Sequence, residues 1–426
     1  MKKTLFTLSL LAALMFCGCN DAFDPGNPPE EPLIRPGGIV DRIFKREDSM
    51  PLMLTPSNEE KAYAQMGADF AQKLFGKLCL EAEPNKNVCI SPLSLEIALG
   101  MLANGVDDEA CAELLDSIAG KGVTLDALNA WYLKLRDALE STNNVCLANA
   151  AWTQKGYPIN RNFINTNKTY YDAEIGHLDF TQTTQAKDSI CQWAYYHTYG
   201  NIHELNLPIT ADTRIVAANA TWFGAEWAIP FKADSTRKDT FVLSSGEEQT
   251  VDMMQNKSYY HYAEASSYRL LSLDFVYQNF SLLIALPLEG FSTNDILPAI
   301  DWNQQLSSKE VILHLPKFQF KTSYELLDPL QELGIRKAMQ RPLVNINPEL
   351  ILHFINQDVS VRFDENGAEM AAVTEWGNLR TSLGDNTPRP EPINFFVDHP
   401  FVFAVRDNKS HNILFIGKVE SIENNK

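Results

Sequence analysis

A chain of 426 residues, 45% hydrophobic and 21% charged, holds enough apolar material for a large packed core, and its length alone suggests two or three domains. Its formal charge of −18 argues against a nucleic-acid surface and against a basic face for acidic polymers. Acidity on this scale serves solubility.

The N-terminus reads as an export signal. Lys2 and Lys3 precede an apolar run over residues 5–16, too short to span a bilayer as a stable helix. The run ends in Phe16-Cys17-Gly18-Cys19-Asn20, which resembles a bacterial lipoprotein processing site. Residues 1–18 would then be a cleaved signal peptide and Cys19 the lipidated first residue, anchoring the chain to a membrane without a spanning helix. Phe16 stands where Leu is usual, and a plain signal peptide with incidental cysteines is the other reading. The expected location is the cell surface or outer membrane, or otherwise the secreted fraction. Five cysteines remain (Cys79, Cys89, Cys111, Cys146, Cys191), an odd number without C-x-x-C spacing, so neither a disulfide framework nor zinc is indicated.

Residues 20–57 are rich in Pro and Gly among scattered charges and read as a flexible tether. A helical period begins near Asn58, with Tyr63, Met66, Phe70, Leu74 and Leu78 three or four residues apart. Ser91-Pro92 starts the next helix, which carries Leu93, Ile97, Leu99 and Met101. Ser91 and Ser94 lack the G-x-S-x-G setting of a nucleophile, and the eight histidines are dispersed, so neither a triad nor a metal site is indicated. Residues 115–139 read as mostly helical, helix is expected over 188–197 and 323–333, and strand over 147–152, 215–223, 280–287 and 311–320. The mixture has no βαβ rhythm, so the fold class is α+β.

The stretch 359–400 is unusual. Val359, Val361 and Phe363 alternate as a strand, small residues follow, and a polar tether carries Gly384, Pro388, Pro390 and Pro392. Strand-like alternation nevertheless continues from Ala368 to Trp376. Ala368, Met370, Ala372, Thr374 and Trp376 share one face, while Glu369, Ala371, Val373 and Glu375 share the other. Such a segment can be loop or strand.

The string DENGAEMAAVT (364–374) resembles the hinge of the serpins. NVCISPLSLEIALGMLANG (87–105), LANAAWTQKGYPIN (147–160), WAYYHTYGNI (193–202), VAANATWFGAEWAIPF (216–231), Met253-Met254 and HPFVFAV…ILFIGKV (399–419) are similar to other serpin segments and come in the family's order. The resemblance covers roughly 60–422. It implies one serpin domain over 58–426, with mixed sheets, a large central sheet A, surrounding helices and an exposed reactive-centre loop at about 366–396. It also implies a monomer without cofactor or metal, and no enzymatic activity of its own. The implied function is suicide inhibition of a serine protease, or of a cysteine protease, through a covalent complex. The alternative is a non-inhibitory serpin acting as a binding or carrier lipoprotein.

By the same resemblance Glu365, Gly367, Ala368, Glu369, Met370, Ala371, Ala372 and Thr374 form the hinge. Ser91, Ser94, Asn219, Trp227 and Gln357 belong to the region where the sheet opens, with Gln357 where many relatives carry His. Counting from Glu365 as in inhibitory relatives puts the reactive bond at Thr381–Ser382, suited to a small S1 pocket of elastase or subtilisin type. Arg380 offers a trypsin-like cut, and Leu379 and Leu383 chymotrypsin-like ones. Met370 and above all Trp376 are bulky for strand positions that would face inward, where overpacking slows insertion.

Overall fold

The computed structural model describes residues 51–368 and 391–422. Helix α1 (Asn58–Glu81) begins at a reciprocal cap. The Ser57 hydroxyl accepts the Glu60 amide, and the Glu60 carboxylate accepts the Ser57 amide, an arrangement worth about 1 kcal/mol. Phe70, Leu74 and Leu78 lie on its buried face, as their spacing requires. Residues 51–57, the end of the stretch read as a tether, are bound to the domain. Leu54 is buried, the Leu52 amide donates to Ser141 Oγ at 2.8 Å, and Lys134 Nζ reaches the Thr55 carbonyl at 2.9 Å.

After β1 (Val88–Ile90), Pro92 occupies the first turn of α2 (Pro92–Ala103), which is buried on nearly all sides. Helices α3 (Asp108–Ile118) and α4 (Leu125–Glu140) are capped by Asp107 and Thr124. Then come β2 (Val145–Gln154), α5 (Arg161–Tyr171), β3 (Glu174–Leu178), α6 (Thr183–His197) and β4 (Ile215–Phe223). These strands form a sheet in the order β3-β2-β4, with β4 antiparallel to β2.

One residue beyond β4 lies β5 (Ala225–Glu226), followed by β6 (Arg237–Val242), β7 (Glu248–Glu264), β8 (Tyr268–Asp274), β9 (Phe280–Pro287), the short α7 (Thr293–Ile296), β10 (Ser307–Pro316) and β11 (Phe318–Glu325). Short helices α8 (Leu327–Glu332) and α9 (Lys337–Gln340) lead to β12 (Asn356–Phe363) and β13 (Gly367–Ala368). The chain closes with β14 (Ile393–Phe396), β15 (Phe401–Asp407) and β16 (Ile413–Val419). A nine-stranded sheet runs β1-β16-β15-β9-β8-β7-β10-β14, with β6 beside β7. Strands β9 and β16 are buried at every residue, which is why both read as nearly continuous apolar runs, interrupted by Ser281 and by Lys418. The remaining sheet runs β11-β12-β13-β5.

Two expectations are corrected. The alternating run 311–320 is two strands, because the chain passes from one sheet to another at Lys317. Alternation records pleat and not sheet membership. The stretch 323–333 is helical only from Leu327. Strand β11 continues to Glu325 because it pairs with β12 in register from Phe318 opposite Phe363 to Glu325 opposite Asn356. Pairing with a distant strand overrides local helix propensity.

Helix α2 also buries a carboxyl. Glu96 packs against α1 at Gly67, where a Cβ would overlap its carboxylate. Burial pushes the group up to about 8, against about 4.5 in the unfolded chain. The folded protein therefore keeps a proton that the unfolded chain loses. The contribution is full below about pH 4.5 and disappears as pH rises to about 8. Glu96→Gln should flatten this part of the pH–stability profile and stabilise the protein at pH 9 by on the order of a few kcal/mol, with little change at pH 5. Denaturant unfolding at the two pH values checks this; equal effects at both would contradict it.

Candidate functional site

Strand β12 ends in a tight turn that sends the chain back along its own inner edge. The Asp364 amide donates to the Gly367 carbonyl at 3.0 Å, and the Asn366 amide donates to Asp364 Oδ1 at 2.9 Å. Gly367 has φ +148°, and a side chain there would collide with the Ala225 carbonyl, so this position needs glycine. In β13, Ala368 lies opposite both Phe363 of β12 and Ala225 of β5, while Gly367 lies opposite Glu226. The returning chain is antiparallel to both neighbours.

Trp227 braces this turn. Its indole N–H donates to the Asp364 carbonyl at 2.8 Å and its amide to the Asn366 carbonyl at 2.9 Å. The ring stacks on Phe275 at 4.6 Å and 10°, with Phe363 beyond at 6.0 Å. Glu365 accepts from Lys317 Nζ at 2.9 Å and from the Thr236 hydroxyl at 2.7 Å. Burial pushes its carboxyl up, but Lys317 and Thr236 outweigh burial and hold it below the usual carboxylate range.

Below the turn, β12 and β4 run parallel to each other because β13 is antiparallel both to β12 and to β5, which continues β4 in the same direction. Among the described residues no backbone pairing joins them. The slot between them is lined above by Thr221, Phe223, Val361 and Phe363, and below by Ala217, Asn219 and Gln357 over Ser94, Ala98 and Leu102 of α2.

Each strand is tied to α2 or to its cap by a separate polar group. On the β4 side the Ser94 hydroxyl donates to Asn219 Oδ1, and Asn219 Nδ2 donates to Asn149 Oδ1 at 2.6 Å. Asn149 in turn donates to the Tyr171 carbonyl at 2.9 Å. On the β12 side Gln357 brackets Ser91. Its Oε1 accepts the Ser91 amide at 3.0 Å and its Nε2 donates to the Ser91 carbonyl at 2.9 Å. The Ser91 hydroxyl donates to the Leu414 carbonyl at 2.7 Å. Ser91, Ser94, Asn219 and Gln357 thus meet under the slot, Trp227 sits at its upper end, Glu365 anchors the turn there, and Gly367 and Ala368 enter it. Asn149 went unnoticed in the sequence, although an Asn inside the apolar strand LANAAW was its signal. Cys19, Glu369, Met370, Ala371, Ala372, Thr374, Trp376, Leu379, Arg380, Thr381, Ser382 and Leu383 lie outside the described residues. Among the described residues no cluster of His, Cys, Asp and Glu could hold a metal ion, and no helix is long and apolar enough to cross a membrane.

Residues 65–422 match the family Serpin (serine protease inhibitor). An uncharacterised serpin-like protein of Methanosarcina mazei is 29% identical over 369 residues, covering 82% of this chain and 85% of that protein. The leukocyte elastase inhibitor of Equus caballus is 30% identical over 380 residues, covering 83% and 97%. Native protease nexin-1, solved with heparin, superposes with a TM-score of 0.75 at 26% identity, covering 85% of this chain and 99% of that one.

Gln357→Ala should strand the buried amide and carbonyl of Ser91 and destabilise the protein by about 2–4 kcal/mol, read from the denaturant midpoint. A change within about 0.5 kcal/mol would mean that the bracket is not structural.

Proposed function

This chain belongs to the serpin family, and we propose that it inhibits serine proteases as a suicide substrate. The observation that carries the reading is the turn at 364–367, which starts a strand antiparallel to both walls of the slot. A chain freed beyond this turn can extend the pairing already begun at Ala368. The target's serine Oγ attacks the carbonyl of Thr381, the amine of Ser382 leaves, and an ester links enzyme to inhibitor. The freed segment then enters between β12 and β4. Roughly 15 residues at about 3.3 Å each carry the enzyme on the order of 50 Å. Distortion of its oxyanion hole and triad stalls hydrolysis of the ester, because those groups act only in one geometry. A cysteine nucleophile would give the corresponding thioester.

Thr381 suits enzymes with small S1 pockets, in keeping with the elastase named for the horse relative. Arg380, Leu379 and Leu383 are alternative cut residues. The protein itself is not an enzyme and needs no cofactor or metal. Export as a monomer anchored to a membrane by a lipid on Cys19 belongs to the same proposal.

Incubating the purified chain with elastase, subtilisin or trypsin should yield an SDS-resistant adduct whose mass is the protease plus the amino-terminal part of the chain. Ala372→Glu, which puts a charge on the inward face of the entering strand, should be cleaved without an adduct. Clean cleavage of the wild type by all three enzymes would overturn inhibition and favour the carrier reading.

A further inference from the structure

We infer that the apolar trough at the lower end of the slot is the seat for the indole of Trp376 in the inserted state. The inference rests on the proposed insertion and concerns what fixes its depth and register. Ala368 is opposite Phe363 on one side and Ala225 on the other. In antiparallel pairing, each step forward on the entering strand is one step back on both neighbours. Thr374 therefore arrives between Gln357 and Asn219, the two side chains that tie the strands to α2 and its N-cap Ser91. Thr374 is also the one polar residue on the inward face Ala368, Met370, Ala372, Thr374, Trp376. Two strands of unrelated sequence, counted separately, give the same match.

Two residues further, Trp376 arrives between Ala217 of β4 and Ile355 just before β12. Here two adjoining cavities share Ala98, Leu102, Ala217 and Leu352 as lining. Ala150, Ala151 and Ala218 widen the second one. Ala217 is exposed, although its position on β4 faces α2. A large ring inserted into a core of ordinary density would overpack it. Alanines at 98, 150, 151, 217 and 218 leave open space beside Leu102, Phe163 and Leu352, which leaves apolar area to be covered, so the bulk expected to slow insertion becomes its anchor.

The test uses the full chain nicked within its loop by thermolysin, a zinc protease that forms no acyl-enzyme ester to be trapped. The difference in emission between wild type and Trp376→Phe isolates Trp376 from the six other tryptophans. It should shift to the blue on nicking, in the monomer peak of a size-exclusion column. The nicked wild type should gain several degrees more in Tm than nicked Trp376→Ala. Ala217→Leu, which fills the trough, should reduce the gain, and adding Trp376→Ala to it should restore part of the loss. If Trp376→Ala gains as much as the wild type or more, the seat does not exist, although insertion stands. A blue shift confined to oligomers would assign the trough to a second copy and overturn the inference. Absence of any gain in every variant would remove insertion itself, and the seat with it.

Discussion

Two parallel strands that face each other without pairing constrain everything else in this molecule. The outer edge of β4 is satisfied by β2 and that of β12 by β11, which leaves two rows of amides and carbonyls turned toward one slot. Unpaired edges are costly when shielded from water and adhesive when exposed. Here the strands are held apart because each is fastened from below, β4 through Asn219 to Ser94 and β12 through Gln357 to Ser91. One fastening leads to α2 at Ser94 and the other to its N-cap Ser91. The helix and its N-cap therefore fix the spacing of two strands that no ladder joins among the described residues.

The upper end of the slot is built differently. Trp227, Phe275 and Phe363 stack there, and the turn at 364–367 is pinned by the Trp227 indole and by Glu365 with Lys317 and Thr236. Gly367 lets the returning chain approach the Ala225 carbonyl more closely than any side chain permits. The chain is thereby aimed down the slot from its first residue. By contrast, the nine-stranded sheet is densely packed, with β9 and β16 buried at every residue.

Much of this was legible in the amino-acid sequence, for physical reasons. Strands buried on both faces, such as β9 and β16, announce themselves as apolar runs, and Ser91-Pro92 marks the start of α2 through its backbone preference. The polar residues under the slot could be named only because their setting resembles a known family. Spacing alone would leave Trp227 as one more core aromatic. What stayed hidden depends on long-range pairing or burial. Lys317 divides one alternating run between two sheets, β11 draws residues up to Glu325 out of a helical pattern, and Leu54 finds a pocket against the domain. Glu96 looks like a solvated helix residue until Gly67 is found against it. Asn149 lies inside the segment 147–160, yet its role acquires meaning only once Asn219 is seen beside it.

The central claim is that the facing edges of β4 and β12 wait for a strand supplied by the chain itself. Hydrogen exchange at the amides of residues 215–223 and 356–363, followed before and after cleavage of the loop, tests it most directly. Protection should rise on both edges together on cleavage, and most strongly around Asn219 and Gln357, while β9 and β16 stay as they were. Unchanged exchange on both edges after cleavage would contradict the account.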